Sequence, residues 1–258
     1  MLAIRQAENR DKDSVLDFCK NTFSWGDYIA NVWNLWVAEG EFLVLEYRKR
    51  PVGICHAYYS EKQTWIEGLR INPRFRRRGF ASKLILHAET TGKTRGSNTA
   101  RMLIAHENTQ SLKLAKSLGY YIEGRWWLYY AEPKSQTSKA KPAANQKQAQ
   151  ILDAELFTES WKWHPLDKRT IESLVRKKRI LKHGNALGIW NKSKIDKNML
   201  QIGYLGGGGK GIGEIIKFVQ NRGHRLKSKR IQILAREDVD LCGQVDKRML
   251  FCLMRKDL

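Results

Sequence analysis

"WIEGLRINPRFRRRGFASKLILHAE", Trp65 to Glu89, is the stretch whose reading decides the fold. Its first residues have strand character, and Asn72-Pro73 ends that strand, because proline has no N–H to give to a sheet ladder. Four arginines then fall within five positions: Arg74, Arg76, Arg77 and Arg78. Gly79 and Ala81 follow, and from Phe80 the apolar residues recur at helical spacing. A strand that turns through glycine into a helix presents unpaired backbone N–H groups at a positive dipole end, which is an anion site. Gly79 lets the backbone approach a bulky anion, and Ala81 keeps the first helical turn narrow. Guanidinium groups add charge that pairs with phosphate oxygens. On charge alone, a solvated basic turn fits the same residues.

Outward from this stretch, the composition sets bounds. The chain has 258 residues, of which 42% are apolar, enough to bury a core. Lys and Arg number 47 against 26 Asp and Glu, a net of +21, which points to an anionic partner such as a nucleotide, nucleic acid or membrane surface. Cys19, Cys55, Cys242 and Cys252 form no CxxC pair; they read as buried free thiols, with a metal or catalytic thiol as the alternative. The N-terminus has no apolar core of signal-peptide length, and no stretch reaches the roughly 20 apolar residues of a membrane span. The expectation is a cytoplasmic protein with no membrane partner and no metal; nothing in the sequence speaks to its oligomeric state.

"PKSQTSKAKPAANQKQAQ" contains no aromatic and no large aliphatic residue and reads as a linker over residues 134–150. It separates a domain at 1–133, net charge +6, from a more basic one at 151–258. The first part reads β α α β β β α β α β β. Its second helix carries Ile29, Val32, Trp33 and Trp36 at helical spacing. A hairpin turns at Lys49 to Pro51, Gly92 closes the helix after the arginines, and Asn108 caps the next one. This order predicts an α/β (α+β) fold: a mixed, largely antiparallel sheet with helices on it. In the second part "ELFTESWKWHP" reads as a strand and Leu166 to Leu181 as a basic amphipathic helix. "MLQIGYLGGGGKGIGEIIKFVQ" repeats the strand–glycine–helix pattern. Set beneath Arg76 to Ala81, Gly211 falls under Gly79 and Gly213 under Ala81. The second part therefore reads as a smaller, degenerate copy of the first, or as a glycine-rich turn in an unrelated α/β domain.

"RRRGFA", Arg76 to Ala81, resembles the R/Q-x-x-G-x-G/A signature of the GNAT acetyltransferase superfamily, with the strand before it and the helix after it where that family places them. "NTQSLKLAKSLGYY" resembles the family's second motif. The resemblance spans residues 1–133, and "FLVLEYRKRPVGICHAYYSEKQTWIEGLRINP" is most similar to the histidine N-acetyltransferase branch. It implies that acetyl-coenzyme A binds through Arg76, Arg77, Arg78, Gly79, Phe80 and Ala81, with Asn108 from the second motif. The thioester carbonyl would meet backbone N–H groups of Leu69, Arg70 or Ile71.

Acetyl transfer to an amine needs a neutral amine, a polarised carbonyl and a leaving thiolate. Glu67, on the strand before the loop, is the base candidate; a strand glutamate paired with a basic neighbour is the plainer reading. His106, Glu107 and His56 stand in reserve. The family's usual tyrosine, seven residues after the motif asparagine, falls on Ala115. Tyr121 is the substitute acid, since Tyr120 takes the family's aromatic core position. Asp27, Tyr28 and Trp33 are candidates for the acceptor side, with core packing the alternative for the tryptophan. The resulting expectation is N-acetylation of a primary amine of an amino acid or other small molecule. The alternatives are a protein N-terminal or lysine acetyltransferase, and a non-catalytic acetyl-coenzyme A sensor whose basic second lobe docks on nucleic acid. A nucleic-acid partner is the less favoured, because helix-turn-helix, zinc and aromatic RNA-binding signatures are missing.

Overall fold

The computed structural model describes residues 2–23, 26–60, 62–149, 155–241 and 245–258; Trp25 and Cys242 lie outside them. The chain begins with β1 (Leu2–Gln6), α1 (Lys12–Cys19), α2 (Ile29–Glu39), β2 (Phe42–Tyr47), β3 (Arg50–Ser60) and β4 (Gln63–Ile71). It continues with α3 (Phe80–Thr94), β5 (Thr99–Ala105), α4 (Thr109–Ser117) and β6 (Tyr121–Ala131). Then come β7 (Lys141–Pro142), α5 (Gln146–Ala149), β8 (Leu156–Glu159), β9 (Lys162–Pro165), α6 (Lys168–Arg176) and β10 (Ile180–His183). The last elements are β11 (Ala186–Lys192), β12 (Met199–Gly206), α7 (Gly209–Arg225), β13 (Arg230–Arg236) and β14 (Asp246–Asp257).

These elements form two compact units. The first holds residues up to Ile104, Asn108–Glu123 and Leu253–Leu258; the second holds Ala105–Glu107 and Gly124–Cys252. The division runs through β6 and β14 rather than through a composition boundary. In the first unit the strand order is β1-β2-β3-β4-β5, then the end of β14 and the start of β6. Neighbours from β1 to β4 are antiparallel, and β4 and β5 are parallel. The helices form where the sequence has apolar residues on one face. α2 buries Ile29, Val32, Trp33 and Trp36, and α3 buries Leu84, Ile85 and Ala88. The final residues of the chain complete this unit: Lys256 Nζ lies 2.6 Å from Glu89, which also accepts from the Tyr120 hydroxyl at 2.8 Å.

Two local expectations shift. The β2–β3 turn residues are Arg48 and Lys49, both in the left-handed region at φ 50° and 61°, as a two-residue hairpin requires. Gly92 does not close α3; it lies inside the helix, where a Cβ would sit 1.9 Å from Thr64 Oγ1, so its role is close helix–strand packing. The left-handed glycine after the helix is Gly96, at φ 88°.

The second unit repeats the first in order and pairing. β7-α5-α6-β10-β11-β12-α7-β13 matches β1-α1-α2-β2-β3-β4-α3-β5, and the strands line up as β7-β10-β11-β12-β13 with β12 and β13 again parallel. No counterpart of α4 follows β13 among the described residues. This is a second lobe of the same fold; it is not the smaller one expected, since Gly124–Cys252 alone is as long as the whole first unit. "ELFTESWKWHP" is a hairpin, β8–β9, inserted between the short α5 and α6. The basic helix ends at Arg176, and Ile180–His183 turns into a buried strand. Residues read as linker instead contribute β7 and α5, with Ala140, Ala143 and Ala149 buried; small side chains let this segment lie against the core without the large apolar residues that would have announced it. The glycine echo also moves by three residues: α7 is capped by Gly208, the counterpart of the α3 cap Gly79, while Gly211 is inside α7.

Candidate active site

β4 and β5 start as neighbours and then part. They pair only over Gln63–Trp65 with Thr99–Arg101, while β4 stays on β3 as far as Ile71. A register shift opposite Ile54–His56, with Gly68 at φ 65°, marks a bulge that bends β4. Only glycine fits there, because a Cβ would lie 2.5 Å from the Trp36 ring. Past the bulge, Leu69, Arg70 and Ile71 have no β5 ladder partner among the described residues, so this edge is open to something other than protein backbone.

The arginine loop starts where that edge ends. Asn72 Oδ1 accepts from the Arg74 N–H at 3.1 Å and sets a short 3-10 turn, Pro73–Phe75. Arg77 (φ 62°) and Gly79 (φ 72°) then reverse the chain into α3. The first bond of the helix runs from Lys83 N–H to Gly79 carbonyl, so the amides of Phe80, Ala81 and Ser82 stand ahead of it. A Cβ on Gly79 would meet nothing within 4 Å; the space above the cap is clear. Arg76, Arg77 and Arg78 are exposed, with Arg76 Nε donating to the Ile71 carbonyl at 3.3 Å and Arg78 lying over the Phe75 ring. The Phe80 side chain is buried beside Tyr47, which anchors the helix start and leaves its backbone amide as the group it can offer. Free amides, a glycine with open space and three exposed guanidiniums fit a phosphate-bearing cofactor.

On β4, Glu67 is 12% exposed, and its Oε1 lies 2.9 Å from His56 Nδ1. His56 is wholly buried, lies flat on Trp36 with ring centres 4.4 Å apart, and has Nε2 3.0 Å from Glu39 Oε2. The reserve base His56 therefore stands behind Glu67. Glu39, at the end of α2, had no sequence signal at all.

The acceptor candidates separate. Asp27 is held by Arg70, with Nε to Oδ2 at 2.7 Å and Nη2 to Oδ1 at 3.2 Å, and Oδ1 also accepts from the Ile29 N–H. Both oxygens are thus engaged inside the protein rather than offered to a cationic acceptor. Arg70 lies over the rings of Phe23 and Tyr28, and burial pushes the Tyr28 hydroxyl up to about 12, so it stays a neutral phenol. Trp33 is fully buried against Phe42, ring centres 5.0 Å apart; it is core, because its face of α2 points into the sheet. Tyr121 is 47% exposed on β6, three strand positions from β4, a separation of about 14 Å at the usual strand spacing. That is too far for an acid working beside Glu67. Asn108 Oδ1 accepts from the Ser111 N–H, making it the α4 cap, and Ala115 is buried where the tyrosine was sought. His106 and Glu107 are exposed, and His106 Nδ1 lies 3.6 Å from the buried Cys252 thiol.

Residues 4–120 match the model of the acetyltransferase (GNAT) family. No curated protein sequence matches the chain. Among solved structures, the chain is similar to a provisionally assigned acetyltransferase of Thermoplasma acidophilum, at 15% identity and TM-score 0.69, over 99% of this chain and 100% of that one. It is similar to a GCN5-related N-acetyltransferase of Sphaerobacter thermophilus at 13% identity and TM-score 0.68, over 99% and 95%. A tandem GNAT protein from the clavulanic acid biosynthesis pathway aligns at 9% identity and TM-score 0.58, over 100% and 98%. At these identities the structures speak to the fold alone, and the tandem GNAT protein among them fits a chain with a second lobe.

Proposed function

We propose, from the match of residues 4–120 to the acetyltransferase (GNAT) family model, that the first unit moves an acetyl group from acetyl-coenzyme A to the primary amine of an amino acid or another small molecule. The observation that carries this reading is the open cap of α3: Gly79 with free space above it, unpaired amides at Phe80 and Ala81, and Arg76–Arg78 around them. Acetyl-coenzyme A, when bound, supplies an activated thioester. The α3 amides and the loop arginines hold its phosphates, and the unladdered edge at Leu69–Ile71 offers N–H groups to polarise a carbonyl. Glu67 takes the proton of the attacking amine at a carboxylate oxygen. Arg70 is a positioning group: with Asp27 it fixes the end of β4. No side chain is assigned to protonate the leaving thiolate, which needs little help near neutral pH. The resemblance to the histidine N-acetyltransferase branch makes an amino-acid acceptor the first to try.

The test is release of free coenzyme A, followed with a thiol reagent, across histidine, other free amino acids, polyamines and short peptides. Turnover with a free amino acid or small amine supports the reading. Turnover with peptides alone transfers the acceptor assignment to protein N-termini or lysines. Tight acetyl-coenzyme A binding with no turnover makes the unit a sensor.

A further inference from the structure

Behind Glu67 runs a line of titratable groups that the transfer chemistry above leaves without a role. Glu67 Oε1 is 2.9 Å from His56 Nδ1, and His56 Nε2 is 3.0 Å from Glu39 Oε2, within ion-pair reach though off the axis of a hydrogen bond. The ring between them cannot turn. Trp36 stacks on it with an interplanar angle of 2°, and Phe42 meets it edge-on from β2. The charged groups that face the imidazole are the two carboxylates, one from β4 and one from α2; its neighbour Cys55 has its thiol 3.8 Å from the His56 carbonyl.

A buried strand histidine that serves only the core is satisfied by backbone or a hydroxyl. Here both nitrogens face carboxylates instead. One of these carboxylates stands beside the bulge where β4 leaves β5; the other reaches solvent, 29% exposed. Because a carboxylate only accepts, Nδ1 donates, which fixes Oε1 of Glu67 and so aims the whole carboxylate. Trp36 couples this alignment to the bulge itself, since the same ring that stacks on His56 fills the space over Gly68.

We propose that His56, clamped by Trp36 and Glu39, is a positioning residue that holds Glu67 in the orientation in which it takes the amine's proton. The proposal rests on the acetyl-transfer reading. It is the arrangement of a base oriented by a second group that is itself oriented by a third.

The experiment measures kcat and the acetyl-coenzyme A KM for the whole chain, with melting curves to confirm folding. His56→Leu removes the donor, and kcat should fall by about 10²-fold with the acetyl-coenzyme A KM unchanged. His56→Asn, whose amide nitrogen takes the place of Nδ1, should recover most of that loss. Glu39→Gln, the mildest change, should lower kcat by about tenfold. In a Glu67→Gln background His56→Leu should cost little more, because the group it aims is gone. An active wild type in which the His56→Leu loss persists in full beside Glu67→Gln, or in which Asn recovers nothing, overturns the positioning role alone. A wild type that releases no coenzyme A with any amine overturns the acetyl-transfer reading, and the positioning role with it.

Discussion

The two glycine caps are built from the same strand–glycine–helix sequence and do opposite things. At Gly79 the left-handed backbone turns the chain and leaves clear space above the helix start, with arginines around it. At Gly208 the backbone is extended, at φ −81° and ψ 149°, and its N–H is 3.3 Å from Asn185 Oδ1. A side chain of the protein thus sits at the position that is open space in the first unit. Three residues on, Gly211 is a packing glycine: a Cβ there would lie 2.6 Å from the Ala186 Cβ and 2.7 Å from the His183 carbonyl. The strand face is closed too. Gly203, on β12, lies under Thr158 of the inserted hairpin, whose carbonyl would stand 1.8 Å from a Cβ. Next to it the Ser160 N–H, Gln201 and Gln232 form a buried chain of hydrogen bonds at 2.6 and 2.8 Å. The second lobe repeats the fold, and its counterpart positions are filled by its own packing.

The sharpest way to break this comparison is to place a carboxylate at each cap. Gly79→Glu should weaken acetyl-coenzyme A binding by about 10²-fold or more, since it opposes phosphate where the amides should meet it. Gly208→Glu should leave that affinity as it was. Calorimetric titration of both variants decides it, and equal losses would mean that both caps bind. Next in size, Glu67→Gln should lower kcat by roughly 10²-fold with the acetyl-coenzyme A KM little changed, and the deficit should narrow at high pH, where more amine is already neutral. Residual turnover close to wild type near pH 7 would shift proton removal to water.

Stability separates the cap Gly79 from the packing glycine Gly211. Gly211→Ala should cost about 1–3 kcal/mol in urea melts, because the clash is with backbone and a neighbouring methyl. Gly79→Ala should cost about 1 kcal/mol, from its left-handed backbone alone. A reversed order would show that Gly211 is not held tightly against Ala186 and His183. The smallest effect is alkaline. Burial pushes the Cys19 and Cys55 thiols, both in the first unit, up to about 12 from 9.0. Each folded-state value is raised, so the stabilisation is whole below pH 9 and is lost as pH climbs towards 12. Urea midpoints should be flat from pH 7 to 8.5 and lower at pH 10.5. Rapid alkylation of both thiols in the native chain at pH 8 would contradict that burial.

How the chain could be read depended on range. The arginine loop, the N-caps, the α2 and α3 stripes and the element order of the first part as far as α4 follow from neighbours in sequence, because periodicity, proline and glycine act over one or two turns; the two strands read after α4 are one, β6. The second lobe was visible for the same reason, through "GGKGIG", but its register was not. Which glycine caps a helix depends on what the others touch, and Ala186 and His183 come from a hairpin more than twenty residues away. Alanine-rich residues 134–150 looked like linker because burial of small side chains leaves no mark on composition. Tertiary structure alone decided that Trp33 is core, that Asp27 is held by Arg70, that Tyr121 stands three strands away from β4, and that Glu39 joins His56 behind Glu67. Each of these is a matter of which side chains from different elements meet and which are kept apart. Such meetings are set by sheet order and by the bulge at Gly68, where a ring from α2 fills the space a side chain would have taken.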